Sequence, residues 1–274
     1  MKALWETKLA QTVMQNSALR KAWKLVQPIY HATLKHLLFR RGMRKFIGGY
    51  EMRLSYEYRR HSSLRNPDAE VEWMLASVRP GTQVLDIGAN YGSRAILFGK
   101  KVGLKGKVFA FEPSPRLYEC LRQHVLFNGL NGIVEVFDWA VGKEDGTLDF
   151  YINEDEFDMT HSLVKPDGPE AHKRVVKVVS VDSFCDSRQI TPDVIKIDVE
   201  GFEPLVLEGC RRLIARAAQV TFLMELHPWV WPEIGYDERK LLSLFAELGL
   251  CAKTQEGQPL GQIRERAQIQ LTKL

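Results

Sequence analysis

Val84-Leu85-Asp86-Ile87-Gly88-Ala89-Asn90-Tyr91-Gly92 is the stretch from which the rest of the chain can be read. A short apolar run beginning at Gln83 ends at Ile87 and gives way to a glycine-bearing turn, as a buried strand does when it feeds a helix. Gly88 and Gly92 permit a tight turn and let a ligand come close to the backbone. Asp86 then sorts the ligands. A dinucleotide lays an anionic pyrophosphate against such a turn and the helix N-terminus behind it, and a carboxylate there repels it. S-adenosylmethionine (SAM) has no phosphate and carries a cationic amino group and a sulfonium. The DxGxxxG spacing therefore suits SAM, with Asp86, Gly88, Asn90 and Gly92 as the cofactor-turn residues.

The pattern alternates outward from this turn. Downstream come a strand at Lys107–Glu112, a helix at Pro115–Asn128, a third strand at Ile133–Val141, and strands at Gly146–Asn153 and Val175–Val181. An apolar strand at Asp193–Val199 precedes a helix near 203–215, a strand at Gln219–Leu226, a helix at Glu238–Leu248 and a last strand at Ala267–Leu274. Upstream, a helix spans 68–78 and stops at Pro80-Gly81, and residues 1–60 read as helices interrupted at Gly48-Gly49. Strands alternating with helices give an α/β, Rossmann-like fold, a mostly parallel central sheet with helices on both faces. Ligands bind beyond the carboxyl ends of such strands. Residues 1–65 are expected as a basic helical extension and 66–274 as the ligand-binding domain.

Composition agrees. The 274 residues are 45% hydrophobic and 26% charged, enough for a sizeable core. The net charge of +4 is uneven: residues 1–60 hold 13 Lys/Arg against 3 Asp/Glu, and the remainder 25 against 31. The basic character thus belongs to the N-terminal segment. Cys120, Cys185, Cys210 and Cys251 form no CxxC pair, so neither zinc nor a disulfide framework is suggested. Isolated thiols, no secretory signal and no long apolar run make a cytoplasmic chain the expectation, with residues 1–60 able to touch a membrane peripherally.

Two further strand ends add ligand contacts. Glu112 closes the second strand before Pro113, where a carboxylate can accept from both ribose hydroxyls. Asp138 and Trp139 lie on the third, where Asp138 could accept from the adenine amino group and Trp139 could pack on the ring; a turn residue and a core aromatic are the alternative. The fourth parallel strand ends in Ile195-Lys196-Ile197-Asp198-Val199-Glu200-Gly201-Phe202-Glu203. Like charges so close raise carboxylate pKa values, which suits a base or a metal site better than an inert turn.

Taken in order, DIGANYG, FEPSP, AVGKEDG, VDSF and IKIDVEGFE resemble the FkbM family of methyltransferases, over roughly residues 65–250. The resemblance implies a class I SAM-dependent methyltransferase. It further implies transfer to a hydroxyl oxygen of a sugar, polyketide, lipid-linked saccharide or similar metabolite. Since SAM already carries an activated methyl group, the protein has to align an in-line attack and take up a proton. Asp198 and Glu200 are the candidates, and His227, just after Glu225, is a second candidate base, with a capping or buried structural histidine before Pro228 as the alternative. Some sugar O-methyltransferases of similar fold use Mg²⁺ to acidify the hydroxyl, which Asp198, Glu200, Glu225 and His227 could support. The sequence leaves the choice between base and metal open, as it does the oligomeric state.

Three other readings compete. An NAD-dependent oxidoreductase is disfavoured by Asp86 and by the missing GxGxxG. A SAM-binding protein without catalysis is disfavoured by the Asp198/Glu200 cluster. A nucleic-acid methyltransferase gripping its substrate through the basic N-terminus lacks a recognisable nucleic-acid module. Acceptor contacts are expected from loops, in particular Met159-Thr160-His161-Ser162.

Overall fold

The computed structural model describes residues 42–55, 58, 68–153 and 171–274, with isolated helical positions at 21, 23, 26, 29 and 33. The loop at 159–162 and most of the N-terminal helices expected before residue 42 lie outside the described residues. In chain order the elements are β1 (Met43–Ile47), β2 (Tyr50–Leu54), α1 (Ala69–Ala76), β3 (Gln83–Ile87) and α2 (Ser93–Val102). There follow β4 (Lys107–Phe111), α3 (Pro115–Phe127), β5 (Val134–Phe137), β6 (Ala140–Gly142), β7 (Gly146–Asn153), β8 (Ala171–Ser180) and α4 (Val181–Arg188). The rest are β9 (Val194–Ile197), α5 (Glu203–Glu208), α6 (Arg211–Arg216), β10 (Thr221–Leu226), α7 (Glu238–Glu247), β11 (Leu250–Thr254) and β12 (Ala267–Lys273).

The central sheet has the order β11-β12-β10-β9-β3-β4-β5. The pairs from β5 to β10 are parallel, and β12 runs antiparallel to both its neighbours. This is the mostly parallel α/β sheet the alternation predicts. Its interior strands are apolar but for one charged pair: Val84, Leu85 and Ile87 of β3 and Ile195 and Ile197 of β9 are at most 1% exposed, and Asp86 and Lys196 lie buried among them. One face packs on α4, α5, α6 and α7 through Phe184, Val206, Leu213 and Leu244. The other packs on α1 and α2 through Met74, Ile96 and Phe98.

Three local expectations are corrected. Residues 43–54, read as helix, form the β1–β2 hairpin. Gly48 and Gly49 take φ of 55° and 82°, which closes a two-residue turn whose twist suits the strands. Ile47, Met52 and Leu54 are fully buried against α1 and α2. The third strand does not run unbroken from Ile133 to Val141. It leaves the central sheet after Phe137 and resumes as β6 in a separate sheet of order β6-β8-β7, with Asp138 and Trp139 at the switch. The helix near 203–215 is two short helices parted at Gly209-Cys210.

The hairpin is tied to α3 by side chains that stand in for a neighbouring strand. Asn128 accepts from the Arg53 N–H at 2.9 Å and donates to the Arg53 carbonyl at 2.8 Å. Next along, the Ser55 N–H donates to His124 Nε2 at 2.8 Å, and His124 Nδ1 lies 2.7 Å from the Tyr91 carbonyl. Because Nε2 accepts, Nδ1 carries the proton and donates. Burial holds the His124 pKa down to about 4, against the hydrogen bond to Tyr91.

Candidate active site

The carboxyl ends of β3, β4 and β9 border an open cleft, where ligands of such sheets bind. Its lining includes Gly88, Asn90, Phe111, Glu112, Leu117, Trp139, Phe150, Asp198 and Glu200. The turn after β3 has Gly88 at φ 73° and Asn90 at φ 53°, the second a conformation asparagine tolerates best among non-glycine residues. A Cβ on Gly88 would lie 1.8 Å from the Asp198 carbonyl oxygen. Only glycine lets β9 come this close to the turn. Gly92 opens α2 under the cleft, packed on Leu121.

Glu112 faces the cleft from β4. It accepts from the Asn90 and Ser114 N–H groups at 2.8 and 2.9 Å. Burial raises its pKa to about 7, against those two hydrogen bonds. Trp139 lines the cleft with Lys177 Nζ 3.4 Å from its ring centroid, a cation–π contact. Asp138 is exposed and lines a neighbouring depression with Tyr118 and Glu119 instead.

Asp86 stands elsewhere than expected. It is fully buried beneath the cleft and does not line it. Its carboxylate lies 3.3 Å from Lys196 Nζ, which also reaches Asp198 at 3.4 Å and donates to the Gly88 carbonyl at 2.7 Å. Burial opposes the Lys196 charge, but Asp198 and Asp86 more than restore it, and the pKa lies above that of an ordinary lysine. The effect of Asp86 on a ligand therefore runs through Lys196 and the turn backbone.

Beyond Lys196 the chain gathers carboxylates around one imidazole. Glu203, fully buried, accepts from the Gly201 N–H at 2.7 Å and from Trp231 Nε1 at 3.4 Å, and its Oε1 is 2.9 Å from His227 Nδ1. That bond turns His227 Nε2 toward Glu200 and Glu225, each at 3.5 Å. Burial works against the imidazolium, yet the bonds to Glu203 and Glu225 and the charge of Glu200 lift its pKa to about 10. With these partners the ring favours the imidazolium, which argues against the role of second base expected from sequence. Burial raises the Asp198 carboxyl, opposed by Lys196 and reinforced by Glu225. Glu200 is likewise raised by burial, against His227. Glu225 falls to about 2: burial is outweighed by hydrogen bonds from His227 and Arg266.

Asp198, Glu200 and His227, the residues grouped from sequence, have ligating atoms within 4.8 Å of one another. Sequence reasoning missed Glu203 as the group that orients His227, and Arg266, whose Nε pairs with Glu225. An i, i+3 spacing of Glu200 and Glu203 was the available signal for the first. Nothing local marked the second.

A SAM-type cleft at the sheet edge, with a carboxylate cluster opening onto it, belongs to the class I SAM-dependent methyltransferases. Residues 86–250 match the methyltransferase FkbM domain, and the chain belongs to that family. It is similar to the hexuronic acid methyltransferase AglP of Haloferax volcanii, 27% identical over 202 residues that cover 72% of this chain and 78% of that one. A shorter match, 39% over 62 residues and 23% of this chain, is to the protein-L-isoaspartate O-methyltransferase of Aeropyrum pernix, of which it covers 24%. Among solved structures, the O-methyltransferase from Bacillus cereus in complex with SAH aligns over 74% of this chain and 79% of that one. Its TM-score is 0.42 and its identity 14%.

Proposed function

We propose that the protein transfers the methyl group of SAM to a hydroxyl oxygen of a sugar. The observation that carries this reading is the placement of Asp198 and Glu200, which belong both to the cofactor cleft and to the charged cluster beside it. In this reading Glu112 accepts from the ribose and Trp139 packs against the adenine. The acceptor oxygen attacks the methyl carbon in line with the departing sulfur. The C–O bond forms as the C–S bond breaks, S-adenosylhomocysteine (SAH) leaves, and the hydroxyl proton passes to Asp198. A carboxylate whose pKa is raised by burial is a stronger base than one in water. A sugar acceptor is supported by the likeness to a hexuronic acid methyltransferase.

The donor set also fits a divalent cation once His227 Nε2 gives up its proton to the arriving ion. Asp198, Glu200 and His227 converge, and Glu203 fixes His227 through Nδ1 as carboxylates fix metal-binding histidines. Such an ion would supply Lewis acidity toward the acceptor hydroxyl. The test of the function is SAH release from SAM across a panel of sugars, glycolipid saccharides and small phenols. Turnover confined to the phenols would overturn the sugar reading.

A further inference from the structure

Two side chains at the rim of the charged cluster have no part in the chemistry above. Trp229 follows His227 by two residues and is 58% exposed, whereas nearby Trp231 is 2% exposed. The indole meets the His227 ring edge-on, with centroids 5.2 Å apart and planes at 89°. An open indole at the mouth of a site is a surface seeking a partner. Arg266 reaches the same cluster from another element. The register pairs Leu226 with Ala267, so the residue just before β12 falls beside the end of β10, where Glu225 and His227 project. Its Nε pairs with Glu225 while its side chain is 60% exposed, and Asp198 and Glu70 also act on its charge. Contacts therefore run without a break from Trp229 through His227 and Glu225 to Arg266, along the cluster that also holds Asp198 and Glu200.

Resting on the methyltransferase reading above, we infer that Trp229 and Arg266 form the acceptor subsite, and that it takes an anionic pyranose. The two side chains ask for different things. The face of an indole is flat, apolar and negative in its quadrupole, and it suits the C–H face of a sugar ring. A guanidinium has a second donor edge when one nitrogen is engaged, and that edge matches a carboxylate or a phosphate. A neutral sugar satisfies only the first, and an inorganic anion only the second. Arg266 also screens the acceptor's negative charge from Glu225, Glu200 and Asp198, which would otherwise repel it.

Calorimetry on the full chain with saturating SAH tests this, using glucose, glucuronic acid and glucose 6-phosphate as probes. At least one charged sugar should bind about 10- to 100-fold more tightly than glucose, and which one does so identifies the anion. Arg266→Gln should abolish that preference and leave glucose affinity unchanged, while Arg266→Lys should keep part of it. Trp229→Ala should weaken every sugar about tenfold. SAH affinity should stay constant in all variants, because neither residue lines the cofactor cleft. Equal affinity for charged and neutral sugars, no sugar binding at all, or an intact preference in Arg266→Gln would overturn the subsite. Failure of the unaltered chain to bind SAH would overturn the methyltransferase reading instead.

Discussion

Lys196 donates to the Gly88 carbonyl at 2.7 Å and so fastens the fourth parallel strand to the turn of the first. The same ammonium is the counter-charge of fully buried Asp86. Lys196→Met should therefore cost on the order of 3–5 kcal/mol, because it strands a buried carboxylate. Replacing both, as Asp86→Leu with Lys196→Met, should recover most of that loss. Urea unfolding of the two single variants, the double variant and the parent chain measures the coupling. Additive losses would mean that the pair does not act as one.

Cofactor affinity should depend on Glu112 ionisation. Burial lifts its pKa to about 7, and only the carboxylate can accept from both ribose hydroxyls. SAM affinity should then fall about tenfold per pH unit once the pH drops below about 7. Glu112→Gln should bind more weakly at alkaline pH and show a flat profile. Titration calorimetry across this range decides, and an unchanged slope in the variant would reassign the pH dependence to another group.

Asp198→Asn keeps the shape of the strand end and removes the proton acceptor. Turnover should fall on the order of 10²- to 10⁴-fold, with SAM affinity little changed. The His227 imidazolium already offsets charge from Glu203 and Glu225, so the direct-base route expects indifference to EDTA. Loss of turnover with EDTA and its return with Mg²⁺ would assign the proton removal to metal assistance.

Acid stability should track His124. Its pKa falls from 6.5 to about 4 in the fold, so the unfolded chain binds the proton more readily. The stability tied to neutral His124 is fully present above pH 6.5 and is lost as the pH falls to about 4. The full loss is on the order of 3 kcal/mol. His124→Gln should be less stable at neutral pH and should lose less between pH 6.5 and 4. Denaturation midpoints over that window give the slope directly.

Much of this architecture is written in local pattern. The β3 strand falls on the Gln83–Ile87 run that predicted it, and the stop at Pro113 and restart at Pro115 place β4 and α3 within a residue. Where pattern fails, tertiary context decides. Apolar residues at 46–54 fit a helix as well as a hairpin until Gly48 and Gly49 both turn left-handed and the alternating side chains find α1 and α2. Leu250–Thr254, a strand not expected from sequence, has no alternation and follows its helix across only Leu248 and Gly249, the latter at φ 65°. In the site, Asp198 and Glu200 were legible because they sit on one strand end. Arg266 was not, since only the reversed strand β12 brings it to Glu225, and Asp86 was placed at the ligand because sequence does not show that Lys196 reaches it first.

The clamp of Asn128 and His124 on β2 has a bearing on how the gene could be trimmed. The family match begins at Asp86, but upstream of it Ile47, Met52 and Leu54 pack into the interior. A fragment cut at the match would bare the apolar flank of α2 and leave His124 Nε2 with no donor from Ser55, so it should aggregate on expression. A fragment beginning at residue 42 keeps both the hairpin and its bonds to α3.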